Sequence, residues 1–309
     1  MEQSPSLVCI VLNYMIPTDT IECLQSLHSS SYQNMRIVVV DNASPDSSVE
    51  TIRKEYPNIE IARTEKNNGW AGGINYGIKY ALLLQSKYIL IINGDTLVDK
   101  DYIRLLIESL EGHQIAGAAA GTIFYYPDVQ KIWFAGGFIS YIRSSGFSRH
   151  ELPEQVDNVN NSEKVTFVSG CSILFRSDAL KKVGLFDERY FLYLEDTDMC
   201  VRLLDNGYHL LYVRGAKLFH KVVNERDAPH KLYYSVRNRL FFAHLHMKGW
   251  RKIIAFGYLY CVFTLKLVIW RITQPDMFVA AWNGIMDYMN GVQYKGRGYS
   301  LSPQKSSSI

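Results

Sequence analysis

The chain has 309 residues, enough for one large domain or one domain plus an appendage, and its 48% hydrophobic and 20% charged composition excludes a disordered protein. A net charge of +3 gives no reason to expect a nucleic-acid partner. Five scattered cysteines without a C-x-x-C pair exclude a disulfide framework and a zinc knuckle, and most sit in apolar runs as buried thiols.

The N-terminus, Met-Glu-Gln-Ser-Pro-Ser, carries no basic region before its short apolar run. It reads as the approach to a first strand rather than a signal peptide, which places the protein in the cytoplasm. The first half then alternates strands with helices. Leu7–Leu12 is an apolar strand ending at Asn13, and Thr18–Leu27 has helical spacing in Ile21, Leu24 and Leu27. Arg36–Val40 is β-branched and stops at Asp41. Ser44-Pro45 reads as an N-cap with proline at the first helical position, opening a helix to about Tyr56. Ile59–Ala62 is the next strand, Gly69–Leu84 a glycine-rich turn feeding a helix, and Tyr88–Ile92 an apolar strand ending at Asn93. This order predicts an α/β fold with a mostly parallel sheet flanked by helices. Ligands of such sheets bind beyond the carboxyl ends of the strands, where Asn13, Asp41, Arg63 and Asn93-Gly94-Asp95 all fall.

From Gly117 to about Val165 the pattern loosens, and Gly136-Gly137, Ser144-Ser145-Gly146 and Asn158–Ser162 read as loops around short strands. Val165–Phe175 is strand-like and Ser177–Lys182 a short helix. The stretch Gly184–Arg202 runs from aromatic and aliphatic residues into Glu195, Asp196 and Asp198 at a helix N-terminus, with Gly207 ending that helix. An apolar approach beside a carboxylate raises its pKa and makes a general base; a plain helix cap with an Asp198–Arg202 pair explains the same residues. His209–Val213 and Lys217–His220 read as two more strands. The last third is helical, over about Pro229–Met247, Arg251–Ile272 and Asp276–Asn290, and Gly296–Ile309 reads as a frayed tail. The division expected is 1–228 for a catalytic domain, 229–295 for a C-terminal helical extension and 296–309 for a flexible tail.

Two features bear on partners. From Lys217 to Lys252 there are nine Lys or Arg against two acids, enough to attract an anionic ligand or membrane surface. Ile253–Ile272 is about one bilayer long, but Lys266, Tyr258, Tyr260 and Thr264 interrupt it, so it reads as a helix in the membrane interface or one buried in a homodimer. The Asn67–Gly77 turn lets a nucleotide approach the backbone or lets a helix pack tightly through Gly72, Gly73 and Gly77; it is not G-x-G-x-x-G, and the chain has no P-loop. Asp95 at the sheet edge, with His220 as a second ligand or as an ordinary core histidine, suits Mn2+ or Mg2+ held largely by water and a diphosphate.

Val11-Leu12-Asn13-Tyr14, Val40-Asp41-Asn42-Ala43-Ser44, the Asn68–Gly77 turn, Asn93-Gly94-Asp95, Val168-Ser169-Gly170-Cys171, Glu195-Asp196-Thr197-Asp198…Arg202 and Tyr234…Arg237-Asn238 occur in an order that resembles family 2 glycosyltransferases, in the bacterial rhamnosyltransferase-like branch, over about residues 7–240. The resemblance implies a GT-A fold, a nucleoside-diphosphate sugar donor (dTDP-rhamnose or a UDP-sugar), a divalent metal and inversion at the anomeric carbon. It implies that Asp41 reads the donor base beside Asn13 and Arg63, that Asn68 and Gly72-Gly73 flank the nucleotide, and that Asp95 and His220 hold the metal, with Asn93 standing where the family's Asp-x-Asp has its first acid. Asp196 matches the general base. Trp133, Gly136, Gly170, Glu195 and Arg237 are expected on the side of a saccharide acceptor, which the basic stretch suggests is polyprenyl-diphosphate-linked. The activity expected is transfer in cell-surface polysaccharide synthesis at the inner face of the membrane. A catalytically silent nucleotide-sugar-binding regulator and a nucleotidyltransferase are the alternatives, the latter lacking a glycine-rich loop after the first strand.

Overall fold

The structure is a computed structural model and describes residues 7–152, 162–222 and 229–296. The chain forms two compact units, one of Met1–Ile139, Gly146–Glu188 and Glu195–Val223, the other of Ser140–Ser145, Arg189–Leu194 and Asn224–Ile309.

The first unit opens with β1 (Leu7–Asn13), α1 (Pro17–His28), β2 (Met35–Asp41), α2 (Ser48–Glu55), β3 (Glu60–Arg63), α3 (Gly69–Leu83) and β4 (Tyr88–Asn93). The strands pair in parallel in the order β3-β2-β1-β4. β1 is buried along its whole length, as expected of a central strand covered on both faces. Register does the work that places the site: Asn13 lies beside Asp41, Asp41 beside Arg63, and Leu12 beside Asn93, so the polar strand ends share one edge. Helix α3 packs against these strands through small residues. A Cβ added at Gly73 would lie 2.7 Å from Leu12 Cδ1, so any larger residue there would push the Leu12 side chain aside.

The unit continues with β5 (Thr96–Val98), α4 (Tyr102–Gly112), β6 (Ala116–Tyr125), β7 (Ile132–Phe134), β8 (Gly137–Ser140), β9 (Ser145–Ser148), β10 (Ser162–Val165), β11 (Ser172–Arg176), α5 (Ser177–Val183), α6 (Glu195–Asp205) and β12 (His209–His220). The main sheet runs β10-β12-β6-β11-β4-β1-β2-β3. β11 enters antiparallel to both β4 and β6, so the parallel block is confined to β3-β2-β1-β4 and the β6–β12 pair.

Several local readings of the sequence change. The helix after β2 begins at Ser48, not at Ser44-Pro45, because the Ser44 hydroxyl accepts from Asn13 Nδ2 and from the Met15 amide instead of capping a helix. The loosened region contains β6, a ten-residue strand in mid-sheet; its Ala-Gly-Ala-Ala-Ala-Gly sequence lacks the β-branched residues that mark strands. β5 and α4 went unread. Val165–Phe175 divides into β10 and β11, with a turn between them that carries Gly170. The two strands expected at 209–213 and 217–220 are one strand, with a register shift between Val213 and Lys217. The loop expected at Asn158–Ser162 lies almost wholly outside the described residues, and the tail beyond Gly296 lies outside them entirely.

The second unit is built on α7 (Pro229–His246), α8 (Gly249–Thr273) and α9 (Pro275–Met289). α7 and α9 bury Tyr233, Tyr234 and Ala280 with Phe191. α8 buries only Ala255, Leu259 and Phe263, a single narrow stripe, although it is apolar on nearly every side. Among the described residues it is the one helix long and apolar enough to cross a membrane by length and composition.

Candidate active site

At the carboxyl edge of the parallel strands, Asn13 Nδ2 donates to Asp41 Oδ1 at 2.7 Å, and Thr20 Oγ1 donates to Asn13 Oδ1 at 2.9 Å. Asp41 Oδ2 accepts from the Ser44 amide at 3.1 Å and pairs with Arg63 Nε at 3.3 Å. Asp41 is fully buried, while the Arg63 side chain is half exposed. Asn42, given no role from sequence, joins this cluster to the glycine-rich turn. Its Nδ2 donates to the Gly69 carbonyl at 2.9 Å, and its Oδ1 accepts from the Asn68 amide at 3.2 Å. Asn68 is the residue before α3, Gly73 packs on Leu12, and a Cβ at Gly72 would fall on Asn68 Cβ, so both glycines also serve helix packing.

Trp70, another residue without an assigned role, carries the site from the turn to the next strand. Its indole N–H donates to Asn93 Oδ1 at 2.8 Å. A Cβ added at Gly170 would lie 3.1 Å from the Trp70 ring and 3.4 Å from Asp196 Cβ, so Trp70, Gly170 and Asp196 are neighbours. The signal for both missed residues is position: each flanks a glycine turn beside a strand end.

Asp95 Oδ2 and His220 Nε2 are 3.2 Å apart, joined where β12 pairs with β5. Trp133 packs edge-on against the His220 ring at 5.1 Å between centroids. Asp95 Oδ1 and His220 Nδ1 are buried without hydrogen-bond partners among the described residues. Burial works against charge on the imidazole, but Cys171 and Asp95 beside it outweigh that and hold its pKa well above the ordinary value. A carboxylate and an imidazole with orphaned polar atoms fit a divalent cation. Among the described residues no third His, Cys, Asp or Glu completes the cluster, so water and a ligand's oxygens would supply the remaining positions.

The acidic stretch opens α6. Asp196 is partly exposed; its Oδ2 accepts from the Gly170 amide at 3.0 Å and its Oδ1 from the Thr197 amide at 2.6 Å. Burial pushes its pKa up, and the hydrogen bonds from Gly170 and Thr197 pull the other way. Glu195 is buried, with Oε2 unpartnered among the described residues, and burial followed by the Asp196 charge raises its pKa well above the usual carboxylate range. Asp198, which is buried, pairs with Arg202 at 2.8 Å, as its i,i+4 spacing suggests.

Gly136, expected on an acceptor side, adopts φ +77° next to Arg149 and Tyr212. Arg237 belongs to the helical unit and is 2% exposed there. It donates to the Tyr294 and Tyr190 carbonyls at 2.7 and 2.8 Å and lies over the Tyr233 and Tyr234 rings. This corrects its reading as a surface cation for an acceptor phosphate. Lys221, from the same basic stretch, is likewise engaged, by Asp19 and Glu22.

The family model "Glycosyl transferase family 2" matches residues 6–184, more than half of the chain. The chain is 26% identical over 249 residues to an N-acetylglucosaminyl-diphospho-decaprenol L-rhamnosyltransferase of Mycobacterium tuberculosis, covering 74% of this chain and 81% of that one. It is 20% identical over 274 residues to the dTDP-rhamnosyl transferase RfbF of Shigella flexneri, covering 83% of each. Among solved structures, Staphylococcus aureus TarS 1-349 in complex with UDP-GlcNAc superposes with a TM-score of 0.60 at 15% identity, covering 93% of this chain and 81% of that one. The mannosyltransferase PcManGT from Pyrobaculum calidifontis in complex with GDP-Man and Mn2+ superposes with a TM-score of 0.58 at 13% identity, covering 93% and 88%. With the strand-end cluster and the opening of α6 on one sheet edge, these matches identify the chain as a family 2 glycosyltransferase with the GT-A fold.

Proposed function

We propose that this enzyme is a divalent-metal-dependent, inverting glycosyltransferase. In this reading it moves a sugar, L-rhamnose first among the candidates, from a nucleoside-diphosphate donor to a lipid-linked saccharide. The observation that carries the reading is the unbroken line of neighbours from Asn13–Asp41–Arg63 through Trp70–Asn93 to Gly170 and Asp196. Such a line gives a donor a base-binding end and a reacting end on one edge. The rhamnosyl donor and the lipid-diphosphate acceptor are suggested by the names of the two relatives.

In this reading Asp41 and Arg63 hold the base, Asn13 orients Asp41, and Asn68 with the Gly72-Gly73 turn flanks the nucleotide. Asp95 and His220 hold Mn2+ or Mg2+, which when bound neutralises charge on the leaving diphosphate. Asp196 takes the proton from the acceptor hydroxyl as that oxygen attacks the face opposite the nucleotide. Hydrogen bonds from Gly170 and Thr197 aim its lone pairs, and its raised pKa suits a base working near neutrality. No covalent intermediate is needed, so one carboxylate suffices. Trp133, Gly136 and Glu195 stand on the acceptor side.

The enzyme works in the cytoplasm at the inner face of the membrane, with α8 lying in the bilayer interface. At 100° per residue, Trp250, Ile254, Cys261, Leu265, Val268 and Ile272 fall on the face opposite the buried stripe, and all are exposed. α8 contains no acid and carries Arg251 and Lys252 near one end and Arg271 at the other. Pairing two copies of α8, in either direction, sets bases against bases, whereas an anionic lipid surface complements both ends.

The test is a thermal-shift screen of dTDP-L-rhamnose, UDP-sugars and GDP-mannose with Mn2+, followed by transfer to an N-acetylglucosaminyl-diphospho-lipid. A donor that stabilises only with metal and is then consumed supports the reading. Stabilisation without turnover favours the regulatory alternative.

A further inference from the structure

Residues Tyr190–Leu194 carry three left-handed residues that are not glycine: Phe191 at φ +65°, Tyr193 at +66° and Leu194 at +71°. L-residues adopt this conformation only when the surroundings over-determine it. Two adjacent side chains of α7 supply that constraint. Asn238 Nδ2 donates to the carbonyls of Tyr190, Leu192 and Tyr193 at 3.0, 2.8 and 2.8 Å. Arg237 NH2 donates to the Tyr190 carbonyl at 2.8 Å, and its Nε donates to Asn238 Oδ1 at 2.9 Å, which fixes the direction of the amide. Both side chains are buried, and Phe191 stacks on Tyr234 at 5.4 Å. Leu194 is bonded directly to Glu195, and Asp196 follows.

We propose that Arg237 and Asn238 are positioning residues for the Glu195-Asp196 pair: by clamping 190–194 in a left-handed backbone they fix the conformation of Leu194, the residue bonded to Glu195, and so keep the base in place. The inference rests on Asp196 being that base. A clamp on a strained loop is costly for a fold, and four hydrogen bonds from these two buried side chains converge on the segment that ends two residues before the carboxylate. An ordinary connection of this length would meet its backbone needs with glycine or with solvent.

The experiment compares Asn238→Ala, Asn238→Ala/Tyr193→Gly and Asp196→Asn in the full-length protein by hydrogen exchange and by release of nucleoside diphosphate from dTDP-L-rhamnose and UDP-N-acetylglucosamine with Mn2+. Asn238→Ala should speed amide exchange over 190–196 while β1, β2 and β4 stay protected. It should lower turnover by about 10²-fold, the cost of a misplaced catalytic group, with dTDP and UDP affinity unchanged. Glycine at 193 adopts the left-handed conformation freely, so the double variant should recover part of the lost turnover and protection, which a merely structural role would not produce. Exchange that stays unchanged in Asn238→Ala, or rises throughout the sheet, overturns the clamp. Turnover lost in Asp196→Asn but kept in Asn238→Ala overturns the clamp alone. Turnover kept in Asp196→Asn overturns the base assignment instead.

Discussion

The Gly170 amide donates to Asp196 Oδ2 at 3.0 Å, across 26 residues of sequence. This bond ties the turn between β10 and β11 to the first turn of α6. It favours the charged carboxylate, against the burial that raises the pKa of Asp196.

Asp196→Asn keeps the size of the side chain and its bond from Gly170 but cannot take a proton. Sugar transfer should fall by roughly 10²–10⁴-fold, while calorimetric affinity for nucleotide and metal stays near normal. Asp198→Asn breaks the buried end of the pair with Arg202 and should cost about 1–3 kcal/mol of stability instead. Near-normal turnover in Asp196→Asn with loss in Asp198→Asn would reverse the two roles.

Glu195 supplies a pH test. Its folded pKa lies well above the unfolded value because of burial and then the charge on Asp196. Such a group favours folding below its unfolded pKa, and that contribution disappears as pH rises through the folded pKa. Glu195→Gln should therefore raise Tm relative to wild type at neutral and alkaline pH, and the gap should close in acid. A gap that widens on acidification would contradict the assignment.

For the donor, Asp41→Asn retains volume and the bond from Asn13 but removes the charge facing Arg63. Affinity for dTDP and UDP should weaken by about 1.5–3 kcal/mol, with circular dichroism unchanged. Equal binding by wild type and variant would free Asp41 of any part in base recognition.

At the metal edge, Asp95→Asn and His220→Ala should each abolish the Mn2+-dependent part of the donor's thermal shift, leaving the metal-independent part. Retention of the full Mn2+ effect in both variants would place the cation elsewhere.

For the membrane, the protein should co-sediment with anionic vesicles and dissociate in high salt. Arg251→Glu and Lys252→Glu together should weaken binding by about 1 kcal/mol for each base removed, or more. A stable dimer that ignores vesicles would instead assign the exposed face of α8 to a second copy, and resistance to alkaline carbonate would assign it to a span.

The parallel half of the sheet was legible because β1, β2 and β4 are unbroken apolar or β-branched runs stopped by a polar residue. β6 was not, because alanine and glycine can enter any element and its strand character comes from its neighbours β11 and β12. β12 looked divided because Arg214 and Gly215 interrupt its apolar pattern at the bulge. Asp41 and Asp95 stand out in the sequence by their place just past apolar strands, and Asp196 by the apolar run that precedes it. Arg237 does not: a count of charges treats every arginine as surface, and only packing reveals one buried against two tyrosine rings and bonded to carbonyls. The left-handed loop before Glu195 was equally hidden, since no glycine marks it.

The β6–β12 pairing has a consequence for how the chain is made. β1, β2 and β3 pair across short crossovers, as in Leu7 beside Met35 and Val38 beside Glu60, while β4 returns to β1 over a longer stretch, with Tyr88 beside Leu7. β6 must wait for a parallel partner that lies about 90 residues further on, as in Tyr212 beside Ala120. β5 and β10 wait for the same strand. That late strand ends in His220, so under the proposed assignment the pair Asp95–His220 is completed only after the strands that carry Asn13, Asp41 and Arg63 have been made.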